Sequence, residues 1–133
     1  MSDRYHDMAP PGLAPAPGFS QVVSGSGRLV FVAGQVAMDE QGQLVGAGDV
    51  ARQAERVFEN IRLALAAAGA SFRDVVKLNY YLTDIGSLPS IRPVRDRYVD
   101  TANPPAGTAV EVKSLFRSEY LIEVEALALI GDG

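Results

Sequence analysis

Residues 51–84 read ARQAERVFENIRLALAAAGASFRDVVKLNYYLTD, and a change of period inside this stretch decides the fold class. In the first half, apolar residues recur at helical spacing. Val50, Ala54, Val57, Ile61, Ala64 and Ala68 form one stripe, widened by Phe58 and Leu65. Arg52, Glu55, Arg56, Glu59 and Arg62 form the opposite, solvated face. Asp49 stands where an N-cap belongs, and Gly69 where a helix stops. From Asp74 onward the period falls to two. Val75, Lys77, Asn79 and Tyr81 face one way, and Val76, Leu78, Tyr80 and Leu82 the other. The stretch predicts a long amphipathic helix followed by a strand.

The flanks extend this pattern. Residues 1–17 contain APPGLAPAP and are expected to form a flexible, proline-rich tail, with residues 18–133 as a single domain. Residues 19–39, FSQVVSGSGRLVFVAGQVAMD, predict a hairpin of two apolar strands about SGSG. DEQGQLVG predicts a second turn at Gly42. Residues 85–102, IGSLPSIRPVRDRYVDTA, predict a second helix beginning near Ser90. That start would put Pro93 in the first turn, where proline is tolerated, and Arg92 at the positive end of the helix. GTAVEVKSL and YLIEVEALALI close the chain as two strands joined by a loop around FRSE. Helices that follow groups of strands indicate an α+β fold, a mixed sheet with two helices on one face. Both sides of the strand after Asp74 carry apolar residues, so the face away from the helices needs a cover. A homo-oligomer is the physical expectation, with subunit clefts as its natural pockets.

Composition narrows the function classes. A chain of 133 residues is enough for one core. Its 12 basic and 16 acidic residues sum to −4, the wrong sign for a nucleic-acid footprint. Cysteine is absent, which excludes disulfides, thiol nucleophiles and thiolate metal sites. The only histidine, His6, lies in the proline-rich segment, so histidine catalysis and clustered histidine ligation have no support. No stretch is apolar for long enough to span a bilayer, and the N-terminus has no signal-peptide core, so a cytoplasmic protein is expected.

Several motifs, in order, resemble the Rid superfamily, also called YjgF/YER057c/UK114 or reactive intermediate deaminases. They are VAGQ after an apolar strand, the helix and strand of residues 51–84, VRDRY, PPAGTAVEV and IEVEALA. The resemblance runs from Phe19 to Ile130. It implies a chorismate-mutase-like fold assembled as a homotrimer, with active sites at the subunit interfaces. It also implies hydrolysis of imines or enamines to 2-keto acids and ammonia, with no cofactor and no metal. Carried over position by position, it gives Glu123 as the acid that places the attacking water. Phe19 stands where an aromatic, usually tyrosine, closes the pocket. Ala33 replaces a frequent serine, and the Gly34 backbone lines the pocket. Arg92 matches an asparagine of the second helix. Gly107 stands where the deaminases carry the arginine that clamps the substrate carboxylate.

Each of these residues also has an ordinary reading. Glu123 and Glu125 share a face with Leu121 and Leu127, where a strand glutamate usually just meets solvent. The motif lifts Glu123 above that reading, and Glu125 less so. Arg92 has Asp96 at i+4 and is equally a paired surface arginine. Arg92, Arg95 and Arg97 together read as a helix face with ion pairs. The function expected is hydrolysis of a small-molecule imine or enamine, bulkier or less charged than the usual substrates because Gly107 leaves the clamp position empty. The alternative is a trimer that binds a metabolite or partner protein without chemistry. RNA cleavage or translation inhibition comes last, and no nucleic acid or membrane partner is expected.

Overall fold

A computed structural model of the chain describes residues 4–131. The amphipathic stripe folds as helix α1, Val50–Ala67. Asp49 caps it, accepting a hydrogen bond from the Arg52 N–H at 3.1 Å. At the other end Gly69 has φ +79°, and the amides of Gly69 and Ala70 return to the carbonyls of Ala66 and Leu65. This is a Schellman closure, and its left-handed residue favours glycine. The face turned inward carries Ala54, Val57, Phe58, Ile61 and Leu65, as the periodicity predicts.

The eight-residue strand after the helix is Val75–Leu82, here β4. The chain's other strands are β1 (Tyr5–Asp7), β2 (Val22–Ser24), β3 (Arg28–Gln35), β5 (Ala106–Glu111) and β6 (Ile122–Ile130). The main sheet has the order β3-β6-β4-β5. The β3–β6 and β6–β4 pairs are antiparallel, and β4–β5 is parallel. A parallel neighbour needs a crossover, and helix α2, Leu88–Arg95, lies in the connection from β4 to β5. Helix α1 packs against β3, β6 and α2. The α+β expectation of a mixed sheet with its helices on one face therefore holds. Beneath the helices lie Val30, Val32, Leu78, Tyr80, Leu82, Ile122, Val124, Ala126 and Ala128, all buried.

Several local expectations are corrected. Residues 19–39 do not form a hairpin. β2 pairs instead with β1, at Tyr5↔Ser24 and Asp7↔Val22, while β3 takes β6 as its partner. A nine-residue apolar strand offers β3 a longer ladder than three-residue β2 can. The SGSG segment instead carries the chain from the small sheet to the large one. Gly27 (φ +136°) is needed there, because an added Cβ would lie 2.1 Å from the Ile130 carbonyl oxygen. Over residues 4–17 the proline-rich segment is largely exposed at residues 11–15 but anchored at points on either side. Ala16 is buried, its N–H bonds the Met8 carbonyl, and β1 extends the pairing. The pyrrolidine rings leave the intervening amides, such as those of Leu13 and Ala16, free to pair within the segment. The turn at Gly42 forms, with the Asp39 carboxylate capping the amides of Gln41 and Gln43.

Helix α2 begins at Leu88, two residues before the expected Ser90, with Pro89 in its first turn. Pro93 then falls inside the helix on its solvent side, where water can reach the carbonyl its missing N–H leaves free. Arg92 accordingly lies in the last turn and not at the positive end. In β4 a register shift between Val75 and Lys77 turns Val75 inward, only 2% exposed. The apolar material on the uncovered face comes from β3 instead, where Leu29 is 54% and Phe31 70% exposed.

Gln53, fully buried in α1, was not legible as a core residue. Its amide donates to the carbonyls of Gly46 (3.2 Å) and Glu119 (2.9 Å), and its oxygen accepts from the Leu121 N–H (2.8 Å). One side chain thus ties the helix to the loops on both sides of it. Gln53→Ala is expected to lower the unfolding free energy by about 3 kcal/mol, since buried backbone groups lose their partners. Denaturant titration at fixed protomer concentration measures this, and an unchanged midpoint would refute the role.

Candidate functional site

The residues singled out from the sequence separate into two groups. Phe19, Arg92 and Gly107 line one groove at the edge where α2 faces β5. Ser20 brings Phe19 there. Its hydroxyl donates to the Pro104 carbonyl at 2.6 Å, its N–H bonds the Pro105 carbonyl at 3.0 Å, and it bridges Ala106 in parallel. Half-buried Phe19 therefore lies beside Gly107. A Cβ added at Gly107 would meet the Phe19 Cβ at 3.7 Å and the Leu78 carbonyl oxygen at 3.8 Å, ordinary contacts. The glycine is not needed for backbone conformation; it leaves space. The groove has a volume of about 160 Å³, and its other walls include Leu78, Tyr80, Leu88, Ile91 and Arg95.

Ala33, Gly34 and Glu123 form the second group, on the face of the sheet away from the helices. β3 and β6 lose register between Val32 and Gln35, and this irregularity holds Ala33 and Gly34. The Glu123 carboxylate lies directly over Gly34. A Cβ added at Gly34 would sit 2.0 Å from Oε2, so glycine is what allows the acid to lie there. Half-buried Glu123 pairs in register with Tyr81, and Asn79 with Glu125. The Asn79 amide donates to Glu125 Oε2 at 3.0 Å. Burial, and then the charge of Glu125, push the Glu123 pKa up. Burial and the two acids raise the Tyr81 hydroxyl as well, so it stays protonated and able to donate. Tyr81 and Asn79 were placed on this face by their alternation, but nothing in the sequence marked them as neighbours of Glu123.

The two groups do not converge within one chain. The sheet order puts β3 and β5 at opposite edges, and β6 lies two strands from β5, roughly 10 Å at ordinary strand spacing. The groove opens on the helix side and the acid lies on the other. Of Arg92, Arg95 and Arg97, Arg97 pairs with Glu55 at 3.0 Å and Arg95 with Asp96 at 2.9 Å. The proposed Arg92–Asp96 pair does not form; Asp96 turns to Arg95, its immediate neighbour. Among the described residues no cluster of acids and histidine could hold a metal ion, and no helix is long and apolar enough to cross a membrane.

Comparison with known proteins agrees with this architecture. The model of the family described as endoribonuclease L-PSP matches residues 10–130. Over 126 residues the chain is 37% identical to Protein DfrA of Myxococcus xanthus, spanning 94% of this chain and 92% of that one. It is 37% identical over 105 residues to the human 2-iminobutanoate/2-iminopropanoate deaminase, spanning 78% of this chain and 74% of that one. Among solved structures, the conserved Rid family protein YyfB from Yersinia pestis superposes with a TM-score of 0.83 at 34% identity, covering 96% of this chain and 98% of that one. With this fold and these relatives, the chain belongs to the endoribonuclease L-PSP family, the group also known as Rid or YjgF.

Proposed function

We propose that the protein hydrolyses an imine or enamine to a carbonyl compound and ammonia, in clefts between the subunits of a homotrimer. The observation that carries this reading is the separation of the candidate residues onto two sides of the chain. A groove at one edge lacks an acid, and a perturbed acid on the other face lacks a pocket. A second protomer laid against the uncovered face, over Leu29 and Phe31, would supply to each what it lacks. The imine deaminase named among the relatives supplies the reaction class.

The chemistry asks little of the protein. The C=N carbon of an iminium is already electrophilic, so water needs only a base and a position. Ionised Glu123 takes a proton from the water as its oxygen bonds to carbon, giving a carbinolamine. The proton then passes to nitrogen, and as the C–N bond breaks Glu123 takes the hydroxyl proton, so that ammonia leaves with the carbonyl product. A carboxylate whose pKa is raised is the better base for that step. Cleavage of RNA, named in the family description, has less behind it here. The chain's net charge is −4, the wrong sign for holding a polyanion, and Arg97 is engaged with Glu55.

Glu123→Gln is expected to abolish accelerated hydrolysis of imines generated from amino acids, followed by competition with semicarbazide. Stability at neutral pH should be unchanged or higher. The folded pKa is raised, so the folded state favours the proton, and the cost of the ionised form is present above that pKa and lost below it. If Glu123→Gln hydrolyses imines as well as the unaltered chain does, a binding trimer without chemistry replaces the enzyme.

The base must be ionised, so activity should fall as pH drops through the Glu123 pKa, above the ordinary glutamate value of about 4.3. Glu125→Gln removes one cause of the rise and should move this acid limb downward; a limb that stays put or moves upward would contradict the assignment. Gly34→Ala should leave the fold intact but displace the carboxylate, and so lose activity without losing thermal stability. Phe31→Glu should dissociate the assembly, and light scattering that finds the unaltered chain monomeric would remove the shared cleft.

A further inference from the structure

The groove between α2 and β5 holds two polar groups that the reaction above does not employ, the Tyr80 hydroxyl and the Arg95 guanidinium. Tyr80 is only 7% exposed, lines the groove, and its hydroxyl has no hydrogen-bond partner. Buried hydroxyls in native folds are ordinarily paired, so this one is missing an acceptor. Burial chiefly, and Asp96 in part, push its pKa up, while the Arg95 guanidinium opposes them through its charge and as a hydrogen-bond donor toward the phenol oxygen, which leaves the hydroxyl proton without an acceptor. The hydroxyl is therefore a donor, with a cation beside it.

Arg95 is the second group. Its side chain is 14% exposed, and both Nε and Nη2 lie 2.9 Å from Asp96 Oδ1. The Asp96 side chain is 45% exposed, so it steadies the guanidinium from the solvent side. Gly18 gives the guanidinium its passage into the groove: its φ is +79°, and a Cβ there would lie 2.8 Å from Nη2. The remaining wall is apolar, with Phe19, Leu78, Leu88 and Ile91, and Gly107 leaves open space.

We propose that Arg95 and Tyr80 form an anion subsite in this groove, taking the carboxylate of a ligand whose apolar body fills the space over Gly107. Arg92 also lines the groove, but from an exposed position on the last turn of α2. A guanidinium fork and a phenol donating to one carboxylate make charge-assisted hydrogen bonds, the strong kind. Such a ligand is a monocarboxylate with an aliphatic or aromatic side chain of several carbons. The inference rests on the proposed function only in treating this ligand as the substrate's acid end.

Calorimetric titration with 4-methyl-2-oxopentanoate, its amide and pyruvate tests the subsite without any turnover. The branched acid should bind at least about tenfold more tightly than its amide, the size expected for hydrogen bonds to a charged group, and more tightly than pyruvate. Arg95→Met should weaken the acid by a similar factor, while Arg97→Met, outside the groove, should not. Tyr80→Phe should weaken the acid and leave the melting temperature unchanged or raised, because the hydroxyl serves nothing in the fold. Equal binding of acid and amide, no binding of any acid, an Arg95→Met variant that binds normally, or a lower melting temperature for Tyr80→Phe would each overturn the proposal. Acid binding without imine hydrolysis would keep the subsite and remove the enzymatic reading. Hydrolysis that is indifferent to Arg95 would do the reverse.

Discussion

Strand β6 is paired along both edges, and its alternation partitions the molecule. Ile122, Val124, Ala126 and Ala128 turn toward the helices and are buried, while Glu123, Glu125, Leu127 and Leu129 turn the other way. A slip of one residue would drive two carboxylates into the core and bring the apolar set out, so the register is strongly specified. Gln53 reinforces it from the helix side by holding Glu119 and Leu121, the residues that lead into the strand. The two alanines of β6 let α1 lie close to the sheet, and Phe58 stacks with Tyr98 beyond α2 at 5.6 Å between ring centroids.

The same partition shapes the site. Because side chains alternate, the face that carries Glu123 cannot also carry the groove. The groove instead uses the parallel edge, where β4 and β5 are held together across α2 and where Leu78 and Tyr80 point toward the helix. Two glycines act in opposite senses. Gly34 is filled by its neighbour, because Glu123 occupies the place of its side chain. Gly107 is unfilled, and its space is available to a ligand. Both positions are glycine in the sequence, and only the surroundings distinguish them.

Much of the fold was legible because its signals are local. A stripe at helical spacing with an aspartate before it and a glycine after it specifies α1 from neighbouring residues alone, and a period of two does the same for β4 and β6. The errors arose where partners are distant in sequence. The 19–39 segment looked like a hairpin because turn chemistry is local, yet β3 finds its partner some ninety residues on. Val75 looked outward-facing because a bulge leaves no mark in an alternating run. Arg95 read only as part of a paired helix face, because spacing says which residues share a helix, but not how the helix is rotated against the sheet.

By itself the amino-acid sequence determined the fold class, the family motifs and the absence of any thiol, since each depends only on residue types and short-range periodicity. It also contained Glu123 and Gly107 as notable positions, through their place in those motifs. Only the tertiary structure decided that these two lie on opposite sides of one chain, that Gly34 yields its side-chain space to the acid, and that Tyr80 and Arg95 share a groove. Those facts depend on strand order and helix rotation, which are set by packing between segments far apart in the chain.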